Sequence, residues 1–206
     1  MAKLTRLTFD SRALVSDLRI IDPARFKPEP LAPGAVASPA QIPVDTLNTL
    51  VRSAVLGASG LDSADPASKE RTVLWRSGAS ELLLMPNRVV TRLGDGVIAL
   101  SFAVRCDQSG DAQIHVSFAI GAEARPAGMI AATEERPRGP AAVVDVWGER
   151  LIAFAWRVLI ELATQIAAES GRDEDGAPLL PVSWAANSRL FIVVPMARHE
   201  LDRVAG

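Results

Sequence analysis

The chain reads as an α+β fold, an antiparallel β-meander of four to five strands packed against one long helix. Three observations predict it. Ile98, Leu100, Phe102, Val104 and Cys106 alternate with smaller or polar residues, and Ala112, Ile114, Val116, Phe118 and Ile120 do the same after a break at 107–111. Three shorter strand candidates precede this hairpin, at 72–76, 81–85 and 88–93, separated by Ser77-Gly78 and Pro86-Asn87. An apolar helix then runs from about Ala141 to Ser170. Turns this short between successive strands require antiparallel neighbours.

The hairpin spans Gly96 to Gly121. With Gln108-Ser109-Gly110 as its loop, Phe102 faces Val116, Val104 faces Ile114, and every large apolar residue falls on one face. The other face carries Ala99, Ser101, Ala103 and Arg105 beside Gln113, His115, Ser117 and Ala119, and is expected to be small, polar and wet.

Upstream, Leu4 to Phe9 and Leu14 to Ile21 alternate weakly, and 14–21 fits an edge strand. Six of the fourteen prolines fall between Pro23 and Pro43, which predicts a crossover loop without regular structure. Val44 to Leu56 follows as an amphipathic helix, with Asp45 as candidate N-cap and Gly57 as the stop. Ser59, in the sequence Gly57-Ala58-Ser59-Gly60, lacks the G-x-S-x-G spacing and the preceding strand of a nucleophile elbow, so it reads as loop. A loop from Ala122 to Pro140 contains the charge run Glu134-Glu135-Arg136.

On the long helix, Arg150, Arg157, Glu161, Thr164 and Gln165 share one arc of roughly 100 degrees, and apolar residues fill most of the remaining circle. One sheet face covers about half of a helix, so this helix requires a second apolar surface. That surface is either the N-terminal seventy residues or another subunit. Gly171 ends the helix, and Phe191 to Val194 form a short strand or extended edge segment that Pro195 closes.

Composition bounds function. Apolar residues make up 49% and charged residues 22%, with a net charge of −2, which describes a globular domain and argues against a nucleic-acid partner. A single cysteine, Cys106, excludes an internal disulfide. The first residues lack the apolar run of a signal peptide, and Arg157 and Glu161 interrupt the long helix, so the expectation is a cytoplasmic protein without membrane insertion. Cys106, His115 and His199 are too few and too scattered for zinc, and no cofactor or phosphate loop is expected: Gly94-Asp95-Gly96 sits between strands, not before a helix. A Cys106–His115 dyad fails because even and odd positions point to opposite sides of the sheet. No catalytic constellation is visible, so the expectation is a protein that is not an enzyme.

The order of hairpin, irregular loop, Gly148 to Trp156, helix and Leu180-Pro181-Val182 resembles the SecB-type chaperone family. In that family an aromatic-proline-aromatic run opens a long helix and a leucine-proline segment follows it. Phe154-Ala155-Trp156 stands in for the first with alanine replacing proline, and Leu180-Pro181-Val182 for the second. Residues 86–93 and the hairpin 96–121 resemble the family's second to fourth strands, and Val15 to Ile20 its first, above all in the branch associated with toxin–antitoxin systems. The whole chain then reads as one SecB-like domain with a Pro-rich crossover (22–43) and a helical insertion (44–83).

The resemblance implies an ATP-independent holdase that binds unfolded or nascent clients in hydrophobic grooves, serving protein export or a toxin–antitoxin-type system. It further implies a homo-oligomer, dimer or tetramer, joined through the long helix at Leu151, Trp156, Val158, Leu159 and Leu162. Candidate client-binding residues are Phe26, Leu31, Met85, Trp184, Leu190 and Phe191, large apolar residues in irregular segments. The acidic tail and Cys/His zinc cluster by which the export chaperones contact the SecA motor are missing, so docking to SecA does not follow. The competing readings are a small-molecule pocket between sheet and helix, and a structural subunit of a larger assembly.

Overall fold

A computed structural model describes residues 5–6, 39–61, 72–122, 131–132 and 136–198. The fold is α+β, with two mainly antiparallel sheets, each carrying one short parallel pairing, and one long helix. In chain order the elements are β1 (Thr5–Arg6), β2 (Ala40–Pro43), α1 (Val44–Ala58), β3 (Val73–Ser77), β4 (Ser80–Leu84) and β5 (Val90–Gly94), with a 3-10 turn at Pro86–Arg88 between the last two. They continue as β6 (Val97–Cys106), β7 (Gly110–Ala119), β8 (Gly121–Ala122), β9 (Ala131–Ala132), α2 (Ala141–Ser170), β10 (Leu180–Ala186) and β11 (Leu190–Met196). The edge strand expected at 14–21 and the Glu134-Glu135 pair lie outside the described residues.

The larger sheet has the order β1-β3-β4-β6-β7-β9, with β5 also pairing β6. Leu82–Leu84 of β4 pair with Val104–Cys106, and β5 pairs with Val97–Ser101, so one edge of β6 is covered by two short strands end to end, with Phe102 and Ala103 between them. The 3-10 turn separates them. The outer edge of β5 is closed by α1: Asn48 accepts a hydrogen bond from the Thr91 N–H at 2.8 Å while its own amide donates to the Val44 carbonyl at 3.0 Å.

The central hairpin is present, but its register is slid by two residues from the expected one. Phe102 faces Ile114, Val104 faces Ala112, and Cys106 pairs with Gly110, which takes the left-handed conformation at φ 65°. A slip of two preserves the alternation, so the apolar face is unchanged. The observed register sets Arg105 opposite Asp111, which form a two-pronged ion pair, and lets Cys106 Sγ meet Ser109 Oγ at 3.0 Å.

Two expectations around α1 require correction. Pro43, not Asp45, occupies the N-cap, and Asp45 sits in the first turn where a carboxylate meets the positive end of the helix. The helix also runs through Gly57. It stops at Gly60, whose φ of 70° lets its N–H reach the Gly57 carbonyl while Leu61 N–H reaches Leu56, the two-bond C-cap that satisfies orphan carbonyls. Ser59 is therefore the C-cap residue, 1% exposed, and no loop nucleophile.

The C-terminal segment and the end of the Pro-rich crossover build a second sheet, in the order β2-β11-β10-β8. Ala40–Pro43 is a regular edge strand despite its proline, because Pro43 ends it. Pro195 does not end β11. The pairing with β2 reaches only from Leu190 to Val193, so Pro195 has a neighbouring strand on one side alone and its missing N–H breaks no ladder bond there.

This second sheet and α1 supply the surface that the long helix requires. α2 contacts α1, β2, β10 and β11 as well as β7. Leu151, Val158, Leu159 and Leu162 are fully buried within the single chain, and Trp156 is half-buried against Phe118, ring centroids 6.2 Å apart. Each such burial stabilises by about 1.5–3 kcal/mol. By length and composition α2 is apolar enough to cross a membrane, and in this fold those residues form the core.

Candidate functional site

The inner face of the larger sheet is closed. Ile98, Leu100, Phe102, Val104, Ile114 and Phe118 have no accessible surface, and Phe102 and Trp75 meet Phe154 of α2 at 5.9 and 5.1 Å between ring centroids. Chemistry that needs access must therefore lie on the outer face or at the sheet ends.

Partners in adjacent strands share a face, so the register lays out the outer face row by row. One row runs Val90, Ser101, His115, Arg138, the last bridged to His115 by a pair of backbone hydrogen bonds at 2.8 and 2.9 Å. Beside it lie Arg92, Ala99 and Ser117 on one side, and Ala103 with Gln113 on the other. Met85, whose N–H bonds the Ala103 carbonyl at 3.0 Å, continues the second of these. A further row carries Leu74, Leu83, Arg105 and Asp111.

The expectation of a wet face holds at the rim and fails at the centre. Ser101 is 4% and Ala103 6% exposed, small side chains enclosed between larger neighbours, whereas Arg92, Arg105 and Gln113 are exposed. Ser101 Oγ lies 2.7 Å from His115 Nδ1. Ser101 is 4% exposed, and among the described residues the row through His115 carries no carboxylate to orient the imidazole. Cys106 points to the inner side, away from His115, as the alternation requires.

Apolar residues cross this outer face as a diagonal: Leu74 and Leu83 as a facing pair, then Met85, then Val90. The first three are half-exposed and Val90 is 39% exposed. The sequence does signal the diagonal, since Leu82 to Met85 and Val89-Val90 are apolar at both parities and a strand apolar at both parities shows apolar residues on both faces.

At the turn end, hydrogen bonding from Arg105 and the charges of Arg105 and Arg88 hold the Asp111 carboxyl below the usual carboxylate range. Around the corner, Ala79, Ser80, Glu81, Cys106, Asp107, Gln108 and Trp147 line a cleft of ≈ 120 Å³. That is well below the roughly 300–1,000 Å³ of an organic-ligand pocket. Among the described residues, no group of three His, Cys, Asp or Glu could hold a metal ion.

Of the residues expected to bind clients, only Met85 lies on this face. Trp184 and Phe191 are core residues, 5% and 0% exposed, stacked edge-on at 6.2 Å. Their segments looked irregular because of their prolines and proved to be paired strands of the second sheet. Leu190 is half-buried opposite Pro43, and Phe26 and Leu31 lie outside the described residues. The residues expected at an oligomer interface, Leu151, Val158, Leu159 and Leu162 with Trp156, are covered by the chain itself, and the large apolar residues that the helix leaves exposed are instead Val146 and Ile160.

No protein-family profile, curated protein or solved structure matches this chain.

Proposed function

We propose that this protein is a non-catalytic, ATP-independent holdase, of the kind the SecB-type resemblance implies, which takes extended apolar segments of unfolded clients on the outer face of its larger sheet. One observation carries the reading: the partly exposed apolar diagonal of Leu74, Leu83, Met85 and Val90 on a sheet whose other face is filled. Such a surface binds by burying apolar area at about 25 cal/mol per Å² and needs no reacting group. Among the described residues the small-molecule reading has less support, because the helix–sheet interior is filled by fully buried side chains and the Cys106–Trp147 cleft is too small for an organic ligand.

The test is suppression of aggregation of a chemically unfolded client, with and without ATP. The native chain should suppress it equally in both conditions, and Leu83→Ser/Val90→Ser, folded by circular dichroism, should lose most of the effect. A variant as active as the native chain would remove the outer face from the function.

A further inference from the structure

We infer that the client segments this face prefers are acidic, with Asp or Glu interleaved among apolar residues. The inference rests on the holdase reading above and adds to it the chemistry of the occupant. Among the described residues the face carries two carboxylates by register, Glu81 and Asp111, and each is already paired across strands, to Arg76 at 2.7 Å and to Arg105. Arg92 is exposed on the same face, two residues along β5 from Val90. Arg88 is exposed at the end of the 3-10 turn, three residues beyond Met85, and stands close enough to Asp111 to act on its charge. Two guanidinium groups therefore flank the apolar diagonal near Met85 and Val90, on a chain whose net charge is −2.

An apolar segment lying along the diagonal would bring its alternate side chains beside these arginines. Carboxylates there would gain charge-assisted hydrogen bonds, while lysines would meet like charge. Two arginines do not make the extended cationic stripe that a nucleic-acid backbone requires. The exposed acidic turn at Glu174-Asp175 makes a second copy of the chain the competing occupant.

Fluorescence anisotropy would decide it, using three synthetic peptides with one alternating apolar pattern and Glu, Lys or Ser at the intervening positions. The full chain should bind the Glu peptide about tenfold more tightly than the Lys peptide. Salt at about 0.5 M should shrink the difference. Arg88→Glu/Arg92→Glu, checked for its fold by circular dichroism, should abolish or reverse the preference. Equal binding of all three peptides would overturn the inference and leave the holdase reading standing; binding of none would sink both. Self-association of the native chain that the double variant removes would assign the face to a second copy. Tighter binding of single-stranded DNA than of the Glu peptide would likewise overturn the proposal.

Discussion

The two faces of the larger sheet are built from the same ten-residue strands, one residue out of phase, and they differ in what packs on them. The inner face presents Phe102, Val104, Ile114 and Phe118 to α2 with no accessible surface. The outer face presents small side chains enclosed at its centre, a hydrogen-bonded Ser101–His115 pair, exposed arginines and a half-exposed apolar diagonal. Alternation decides which residues share a face. It does not decide which face is covered, because coverage depends on elements distant in the chain. The contrast places the buried core on the inner face and leaves the outer one partly open to solvent.

The largest expected effect would break the comparison at its inner side. Phe102→Asp puts an unpaired charge against Ile114 and Phe154 and should cost more than about 4 kcal/mol, enough to unfold the domain. Gln113→Asp, exposed on the outer face of the facing strand, should stay within about 0.5 kcal/mol. Denaturant titration of both variants checks this, and equal stabilities would mean that the faces are misassigned.

An intermediate effect sharpens the role of the long helix. Leu162→Ala removes a fully buried side chain and should cost about 2–5 kcal/mol by leaving a cavity inside one chain. Sedimentation at micromolar concentration should give the same mass for the variant and the native protein. Loss of mass without loss of folding stability would return Leu162 to an interface between subunits.

The smallest effect belongs to the outer rim. The native Asp111 carboxyl titrates below its unfolded value, so its contribution is present above the ordinary carboxylate range and is lost as pH falls through the native pKa. Both partners are 59% exposed, so solvent screens the pair and the contribution is slight. Asp111→Asn should lower the melting temperature slightly at neutral pH and lose that deficit once the pH falls below the lowered pKa of the native carboxyl. A deficit that persists in acid would mean that the side chain stabilises through something other than its charge.

The amino-acid sequence by itself determined the central hairpin, both helices and the sidedness of the larger sheet. Period-two alternation marks β6 and β7, period 3.6 marks both helices, and both are local properties of consecutive residues. The stop of α1 was misplaced at Gly57, because in sequence a glycine inside the last turn looks the same as the left-handed glycine that caps it, here Gly60. What only the tertiary structure decided was non-local. The hairpin register is one case, because a slip of two residues leaves the apolar pattern unchanged, and the pairing of Cys106 with Gly110 and of Arg105 with Asp111 appears only in the folded hairpin. The second sheet formed from segments whose prolines argue against strands, since a strand with a neighbour on one side alone tolerates a missing N–H. That sheet and α1 closed over Leu151, Val158 and Leu162 within one chain and drew Trp184 and Phe191 into the core. A helical wheel shows that such residues require a cover, and which surface provides it is fixed only when distant parts of the chain come together.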